Sequence, residues 1–299
     1  MDPNPPDDRD ERTMAEQTAE QPQPPSSPAR RPVRLIPATF NPRFYALFGW
    51  YVRRLAAKRF HAVRVAGDTA DAFRAAGRAD RPLLVTLNHA GWWDPLVCLL
   101  ASSLIPGRTH AAPMEAAQLE KFRFFTRLGI FGIDPDDPRS LRALLAHVGR
   151  VFAESHRPTL WITPQGRFTD VRDPIVLRPG AAAVAAAHDP VVLALAVEYA
   201  FWSDGRPEVF LRFATVPAPS ERSTAAWHRA IQGAMTANGA ALAALVTARD
   251  EAGFTPLLAR AGSRINLLYD LILRLRGRSA DVAPREPAHR APFRGSATR

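Results

Sequence analysis

A histidine and an aspartate separated by four residues are the side chains of this chain best suited to acid–base chemistry. Asn88-His89 directly follows the apolar run 83–87, and Asp94 stands immediately before Pro95. A neutral imidazole can accept a proton at one ring nitrogen while a carboxylate holds the other nitrogen. The spacing therefore predicts a general base, His89, with Asp94 as the carboxylate that orients it.

Two regular elements must position these side chains. The run 83–87 is short, apolar and rich in β-forming residues, which predicts a buried strand. Asp94 before Pro95 is typical of a helix N-cap, and residues 96–104 continue as a buried helix. This strand–loop–helix unit places His89 after the strand and Asp94 at the helix start. The alternative is that Asp94 only caps the helix and His89 only occupies the loop.

A second candidate site follows another apolar run. The predicted strand 159–163 leads into Pro164-Gln165-Gly166-Arg167. In such a turn, backbone N–H groups and a guanidinium can face an anionic head group, because arginine binds phosphate through paired hydrogen bonds. Gln165, Gly166 and Arg167 are therefore candidate substrate-binding residues. The alternative is an ordinary turn with a solvated arginine.

Buried strands alternate with helices along the middle of the chain. The apolar runs predict strands over residues 60–65, 83–87, 108–112, 129–134, 159–163, 191–197 and 210–216. Helical spacing or composition predicts helices over residues 41–60, 96–104, 139–154, 178–187, 221–248 and 256–275. The alternation predicts a single α/β domain with a central, mostly parallel or mixed sheet flanked by helices. Both candidate sites follow strands, where sites in such sheets gather.

The two ends of the chain differ in composition from its middle. Residues 1–37 are acidic and Pro-rich and contain no aromatic side chain, so they cannot bury enough apolar area to offset chain entropy. We expect this segment and the Arg- and Pro-rich tail 277–299 to be disordered, with the folded domain spanning residues 38–276. We expect no signal peptide, because the first residues contain no apolar h-region. We also expect no conventional membrane span, because the sequence contains no sufficiently long uninterrupted apolar stretch.

Arginine carries almost all of the positive charge of this 299-residue chain. The formal net charge is +10, and the only lysines are Lys58 and Lys121. Arginine suits phosphate and carboxylate partners, but a compositional bias towards Arg, Ala and Pro accounts for the charge equally well. Because no helix-turn-helix, zinc or aromatic ribonucleoprotein signature accompanies the charge, we expect no nucleic-acid partner.

The cysteine and a second histidine–acid pair are not predicted to take part in chemistry. The single cysteine, Cys98, excludes an intrachain disulfide, and its place in an apolar helix disfavours a nucleophilic role because burial raises a thiol pKa. His110 and Glu115 repeat the His–acid spacing, but no compact third ligand accompanies them, and His110 is expected in a loop. The sequence therefore predicts no metal site.

Residues 41–60 predict a helix with two possible roles. Aromatic side chains alternate there with five basic residues, which is typical of a helix at a membrane interface. The alternative is a helix that packs on the core of the domain. Residues 265–275 mix Leu and Ile with arginines and allow the same two interpretations. With the first interpretation, the protein is expected to be cytoplasmic and peripheral on the inner face of the cell membrane.

Together these motifs resemble the glycerolipid (lysophospholipid) acyltransferase family. Asn88-His89 with Asp94 resembles the first block of that family, residues 129–134 the second, the Pro-Gln-Gly-Arg turn at 164–167 the third, and residues 190–195 the fourth. All four occur in the order of the family. The segment 177–181 also resembles the basic-Gly-Ala run after the third block. The resemblance covers roughly residues 60–215.

The resemblance implies a fold like that of glycerol-3-phosphate acyltransferase and an O-acyltransferase activity. A fatty acyl group would pass from acyl-CoA or acyl-carrier protein, which is a substrate rather than a cofactor, to a hydroxyl of a lipid acceptor. His89 would deprotonate that hydroxyl while Asp94 holds the tautomer of the imidazole. The substrate would contact the side chains or backbone of six residues: Asn88, Gly91, Trp92, Gln165, Gly166 and Arg167.

The chain departs from the family pattern where the acceptor would bind. Gln165 replaces the usual Glu, and Arg167 lies one residue earlier than the usual Arg. In the second block, Pro135 takes the place of an Arg, with Arg139 the nearest substitute, and Gly91 stands where a small polar residue is common. These changes predict retained chemistry on an atypical acceptor. The alternative is a non-catalytic lipid-binding protein with the same fold.

Overall fold

The computed structural model describes residues 35–67, 69–202, 204–259 and 275–276. The strands in these ranges are β1 (Ala62–Ala66), β2 (Leu83–Leu87), β3 (Thr109–Glu115), β4 (Ile130–Ile133), β5 (Pro158–Ile162), β6 (Val191–Ala200), β7 (Glu208–Thr215) and β8 (Phe254–Ala259). The α-helices are α1 (Pro42–Arg59), α2 (Thr69–Arg78), α3 (Asp94–Ser102), α4 (Ala116–Lys121), α5 (Ser140–Glu154), α6 (Gly180–His188) and α7 (Thr224–Ala248). Short 3-10 helices cover Arg123–Leu128 and Glu251–Gly253.

The strands form one mixed sheet in the order β4-β3-β5-β2-β6-β7-β1-β8. Neighbouring strands from β4 to β6 are parallel, and so are β7 and β1, whereas β6–β7 and β1–β8 are antiparallel. The predicted α/β domain with a mixed sheet is confirmed. Since β5, β2 and β6 lie side by side and run the same way, the loops after them meet at one edge of the sheet.

Both faces of the sheet are buried, and β2 shows how the sequence achieves this. Leu83, Val85 and Leu87 belong to a core cluster that includes Val52 of α1, Phe73 of α2 and Val97 of α3. Leu84 belongs to the second cluster, with residues of α5, α6 and α7. Side chains alternate between the faces of a strand, so a strand covered on both sides needs a continuous apolar run.

Three of the described strands and α-helices differ from the sequence predictions. Residues 254–259 form strand β8 rather than the start of a helix, because they pair with the free edge of β1, and a short apolar run is compatible with either element. Helices α2 and α4 were not predicted at all. The rest of the predicted helix, up to residue 274, lies outside the described residues. So do the predicted disordered tail 277–299 and nearly all of the predicted disordered segment 1–37, of which only 35–37 are described. Contrary to the prediction, Ile36 is ordered: it is buried and exchanges backbone hydrogen bonds with Gly132 of β4 at 3.0 and 2.8 Å.

Helix α7 is long and apolar enough, by length and composition, to cross a membrane, with a mean hydropathy of 1.2. Its sequence is not an uninterrupted apolar run, so it was not predicted as a membrane span. In the structure α7 packs on β6, β7 and α6, and it buries Trp227, Ile231 and Met235. The amide of Asn238 donates hydrogen bonds to the carbonyls of Ala194 and Arg212 at 3.1 and 2.8 Å. These contacts hold one face of α7 against the core of the domain.

His110 lies on β3, so the predicted strand 108–112 holds for this residue and the expectation that it lies in a loop is wrong. Its ring stacks on that of Tyr45 with centroids 4.8 Å apart, and its Nδ1 accepts a hydrogen bond from the indole N–H of Trp161 at 3.2 Å. Burial, with the nearby charge of Arg108, lowers the pKa of His110 to about 3. The neutral ring thus docks α1 on the sheet. Among the described residues, no three His, Cys, Asp or Glu side chains form a group able to hold a metal ion.

Gly129, where the 3-10 helix Arg123–Leu128 ends and β4 is about to start, is predicted not to tolerate a side chain. It has φ of +88°, and an added Cβ would come within 1.8 Å of the carbonyl oxygen of His110. We expect Gly129→Ala to lower the unfolding free energy by about 2 kcal/mol or more in urea titrations. Gly49→Ala is the matched control. A Cβ at this helical position meets nothing within 4 Å, so that variant should be stabilised by about 0.5–1 kcal/mol. Equal effects of the two substitutions would contradict the backbone argument.

Candidate active site

His89 and Asp94 form a hydrogen-bonded pair at the carboxyl edge of the sheet. His89 Nδ1 lies 2.8 Å from Asp94 Oδ2. The Asp94 carboxylate is fully buried, whereas about a fifth of the imidazole is exposed, so the ring spans the boundary between core and solvent. No atom in the described ranges is recorded as a hydrogen-bond partner of His89 Nε2. The pair therefore has the geometry of an oriented base whose second nitrogen can meet a ligand.

Asp94 does not cap the helix, which corrects the prediction. It is the first residue of α3, and the residue before it, Trp93, is in the cap position without a side-chain cap hydrogen bond. The Asp94 carboxylate instead accepts from the backbone N–H of Gly91 at 2.9 Å and faces His89. The interpretation in which Asp94 serves only as a cap is therefore wrong.

Tyr199, near the end of β6, completes the hydrogen bonding of this carboxylate. Its hydroxyl donates to Asp94 Oδ1 at 2.6 Å. Burial and the adjacent Asp94 carboxylate both raise the pKa of Tyr199, so its hydroxyl keeps its proton. With Tyr199 and Gly91 already donating to it, the carboxylate is an acceptor for the Nδ1–H of His89. The lone pair of the neutral ring is then on Nε2.

The turn that contains Gln165 stabilises the loop that contains His89. Gln165 is buried, and its Oε1 accepts a hydrogen bond from the backbone N–H of His89 at 2.8 Å. Its Nε2 donates to Thr169 Oγ1 at 2.6 Å, and the backbone N–H of Thr169 donates to the carbonyl of His89 at 2.9 Å. The Phe168 ring packs on the imidazole with centroids 4.3 Å apart. The turn after β5 thus holds His89 on its backbone and its ring.

Gly166 and Arg167 lie on the outer side of this turn. Gly166 has φ of +69°, and a Cβ there would approach the Nε of Arg178 to 2.8 Å, so the side chain of Arg178 covers the glycine. Arg178 then reaches the loop after β4, where it donates to the carbonyl of Pro135 at 2.8 Å. Arg167 is exposed. A contact of these residues with substrate stays a prediction.

The remaining predicted binding residues have different surroundings. The Asn88 amide both donates to the carbonyl of Val197 at 2.9 Å and accepts from its N–H at 2.8 Å, so it joins the end of β2 to β6. Gly91 contributes its N–H to Asp94. Trp92 is 68 % exposed and lies edge to face with Trp93. Their roles towards a substrate stay predictions, although only Trp92 offers a free side-chain surface.

An open groove of about 450 Å³ begins at the same loop. Trp92 and Trp93 form one side, and Leu55, Arg59 and Phe60 at the end of α1 form the other. This volume is in the range of small-molecule sites, and its lining is mostly aromatic or aliphatic with one cation.

Cys98 offers no alternative nucleophile. Burial and the nearby Asp94 carboxylate raise the pKa of its thiol well above the ordinary value. The sequence-based expectation that this cysteine is not a nucleophile agrees with its surroundings.

Tyr199, Phe168 and Thr169 were not among the predicted site residues. Phe168 and Thr169 directly follow the predicted turn, so extending that motif by two residues would have included them. Tyr199 is 105 residues from Asp94, and nothing local in the sequence marks it. Its role depends on β6 lying beside β2.

Comparisons with known proteins bear on overall architecture. No protein-family model matches the chain, and no curated protein matches it in sequence. Among solved structures, it is similar to the crystal structure of the 1-acyl-sn-glycerophosphate (LPA) acyltransferase, PlsC, from Thermotoga maritima. The identity is 17 %, the alignment covers 66 % of this chain and 79 % of that chain, and the TM-score is 0.47. A function for this chain therefore has to be argued from the geometry of the site.

Removing the Tyr199 hydroxyl is expected to destabilise the protein more than removing an equivalent neutral hydrogen bond. Tyr199→Phe leaves a buried carboxylate oxygen without its donor, which costs about 1.5–3 kcal/mol of unfolding free energy. Tyr45→Phe is the matched control, because Tyr45 is partly buried, as Tyr199 is, and donates to the uncharged Ser102 hydroxyl at 2.8 Å. Its expected cost is about 0.5–1.5 kcal/mol. Equal losses in urea unfolding would contradict the assignment of a charged acceptor.

Proposed function

We propose that the protein is an O-acyltransferase that uses His89 as general base to move an acyl group from a thioester to a lipid hydroxyl. The observation that carries the proposal is the hydrogen bond between His89 Nδ1 and the buried Asp94 carboxylate, whose other donors are Gly91 and Tyr199. The motif resemblance over residues 60–215 supports the same reaction class.

The reaction needs only one base and two bound substrates. His89 Nε2 removes the proton of the acceptor hydroxyl as its oxygen attacks the thioester carbonyl. This attack forms the new C–O bond of the tetrahedral intermediate. The intermediate then collapses to the ester with cleavage of the C–S bond, and the imidazolium returns the proton to the departing thiolate. The Asp94 carboxylate stabilises the imidazolium that forms between the two steps. No acyl-enzyme is required, which agrees with the raised pKa of the Cys98 thiol.

The groove beside Trp92 is the proposed place for the apolar part of a substrate. It shares the loop that holds His89 and Asp94, and its lining is mostly aromatic and aliphatic. Arg59 adds one positive charge at the end of α1. An acyl chain, or the phosphate-bearing carrier of a thioester, fits these surroundings.

We further propose that α1 and the 3-10 helix Arg123–Leu128 form a membrane-facing surface. Exposed apolar side chains include Leu47, Trp50 and Tyr51, and the Phe48 ring contacts those of Phe124 and Phe125 at 6.0 and 6.3 Å. The five exposed cations of α1 are Arg43, Arg53, Arg54, Lys58 and Arg59, and α1 has no acidic residue. The opposite face of α1 packs on the core through Val52 and Ala56. The interpretation of α1 as a helix packed on the core therefore holds for that face. The exposed face suits an anionic lipid surface, which supports the proposed membrane contact.

Replacing His89 is expected to abolish thioester consumption. With radiolabelled acyl-CoA and total membrane lipid as substrates, His89→Gln should lower the rate on the order of 10²–10⁴-fold, the usual contribution of a general base. His188→Gln is the matched control, since His188 is half-buried and hydrogen-bonds the Leu145 carbonyl at 3.2 Å. Full activity in His89→Gln would contradict the mechanism. Lipid binding without any thioester consumption by the natural protein would favour the non-catalytic alternative.

Removing apolar side chains from α1 is expected to weaken vesicle binding. Burial of one large apolar side chain is worth about 1.5–3 kcal/mol, so Leu47→Ser/Trp50→Ser should lower the partition coefficient on anionic vesicles at least about tenfold. Phe201→Ser is the control, because Phe201 is 62 % exposed, as is Leu47, but lies after β6. Co-sedimentation on neutral vesicles measures the contribution of the cations. Unchanged binding by the α1 variant would exclude this surface.

A further inference from the structure

The loops after β4 and β5 form one side of the candidate active site. We call residues 134–139 and 163–179 the β4–β5 rim. Its turn at 165–169 holds His89 through Gln165 and Thr169, and Arg178 links that turn to the loop after β4. Any acceptor that brings a hydroxyl to His89 from this side must pass the charges of the rim.

Three of the four arginines of the rim are held by aspartates. Arg139 contacts Asp137 at 2.7 Å, and Arg172 contacts Asp170 at 2.8 Å. Arg178 contacts the Asp136 carboxylate at 3.2 Å in addition to the Pro135 carbonyl. Guanidinium groups paired in this way have part of their charge and several of their N–H donors already used.

The rim as a whole has more acid than base. It contains five aspartates and four arginines, and Arg167 is the arginine without a recorded carboxylate partner in the described part of the chain. Beside the turn, a small cavity of about 40 Å³ takes side chains from Asp170, Asp173 and Glu198 and none from a basic residue. Burial raises the pKa of Glu198, and no basic residue lines this cavity to offset that effect.

The opposite side of the His89 loop has the reverse balance. There Arg59 lines the groove with Trp92, and α1 carries five cations and no acid. Negative charge on a substrate is therefore better accommodated on the α1 side than at the β4–β5 rim.

We propose that the acyl acceptor has an uncharged head group and carries no phosphate beside its reacting hydroxyl. This inference rests on the proposed acyl transfer. A phosphate monoester has about two negative charges at neutral pH and would face a rim with one net negative charge, which raises its binding free energy. An uncharged polyol or sugar avoids that repulsion. The Phe168 ring, 60 % exposed and next to His89, offers such a head group an apolar surface.

The test compares one acceptor with and without its phosphate and adds a sugar-based acceptor. The natural protein is given radiolabelled acyl-CoA with 1-acylglycerol, with the 3-phosphate of the same 1-acylglycerol, or with an alkyl glucoside. The glucoside shows whether the accepted hydroxyl belongs to a sugar or to a glycerol. We expect kcat/KM to be at least about tenfold higher for one of the phosphate-free acceptors. Equal or greater use of the phosphate-bearing acceptor would overturn the inference while supporting acyl transfer. Failure of all three acceptors, together with no thioester consumption by the natural protein on total membrane lipid, would count against the proposed function itself.

Variants that release the paired arginines test the cause. Asp137→Asn frees Arg139 and Asp170→Asn frees Arg172, and each change keeps the size of the side chain. We expect each to raise the ratio of phosphate-bearing to phosphate-free acceptor use by about fivefold, because a cation becomes available and an anion is removed. Asp71→Asn is the control, as it releases Arg74 from a 2.6 Å ion pair on α2 and should leave the ratio unchanged. A ratio that stays constant in both rim variants would overturn the electrostatic explanation.

Discussion

The buried carboxylate of Asp94 is the constraint on which the arrangement of the site depends. A carboxylate without solvent is costly unless hydrogen-bond donors surround it. Its donors come from three directions: the Gly91 N–H in its own loop, the Tyr199 hydroxyl from β6 and the imidazole of His89. All three are present only when β2, β6 and the start of α3 are packed together. The interaction that orients the proposed base is therefore also one that selects the native packing.

The site is held on both sides of β2, which explains how a loop can keep a precise geometry. On the β5 side, Gln165 and Thr169 bind the backbone of His89, and on the β6 side Asn88 binds the backbone of Val197. A base fixed in this way is oriented before substrate arrives, so little ordering is left for the reaction. The uncharged amide of Gln165 positions His89 by accepting a hydrogen bond from its backbone N–H. The side-chain hydrogen bond between His89 and Asp94 does not involve this amide.

Much of the fold could be predicted because its strands are continuous apolar runs. The predicted strand 83–87 coincides with β2, and the other predicted strands overlap β1 and β3–β7. The errors have physical causes. Residues 254–259 are a strand because the edge of β1 needs a partner, which no local pattern reveals. Asp94 before Pro95 has the pattern of a cap, but its carboxylate is engaged by His89 and Tyr199.

The sequence by itself determined the pairing of His89 with Asp94, because residues five apart across a strand–loop–helix unit must lie close together. It also determined that Gln165 would follow a strand. Only the tertiary structure decided that Gln165, 76 residues away, braces His89 and that Tyr199, 105 residues from Asp94, completes its carboxylate. It also decided that Arg178 pairs with Asp136, 42 residues away, across the β4–β5 rim. The order β5-β2-β6 brings the distant groups together, and that order follows from burying both faces of the sheet, a property of the whole chain rather than of any segment.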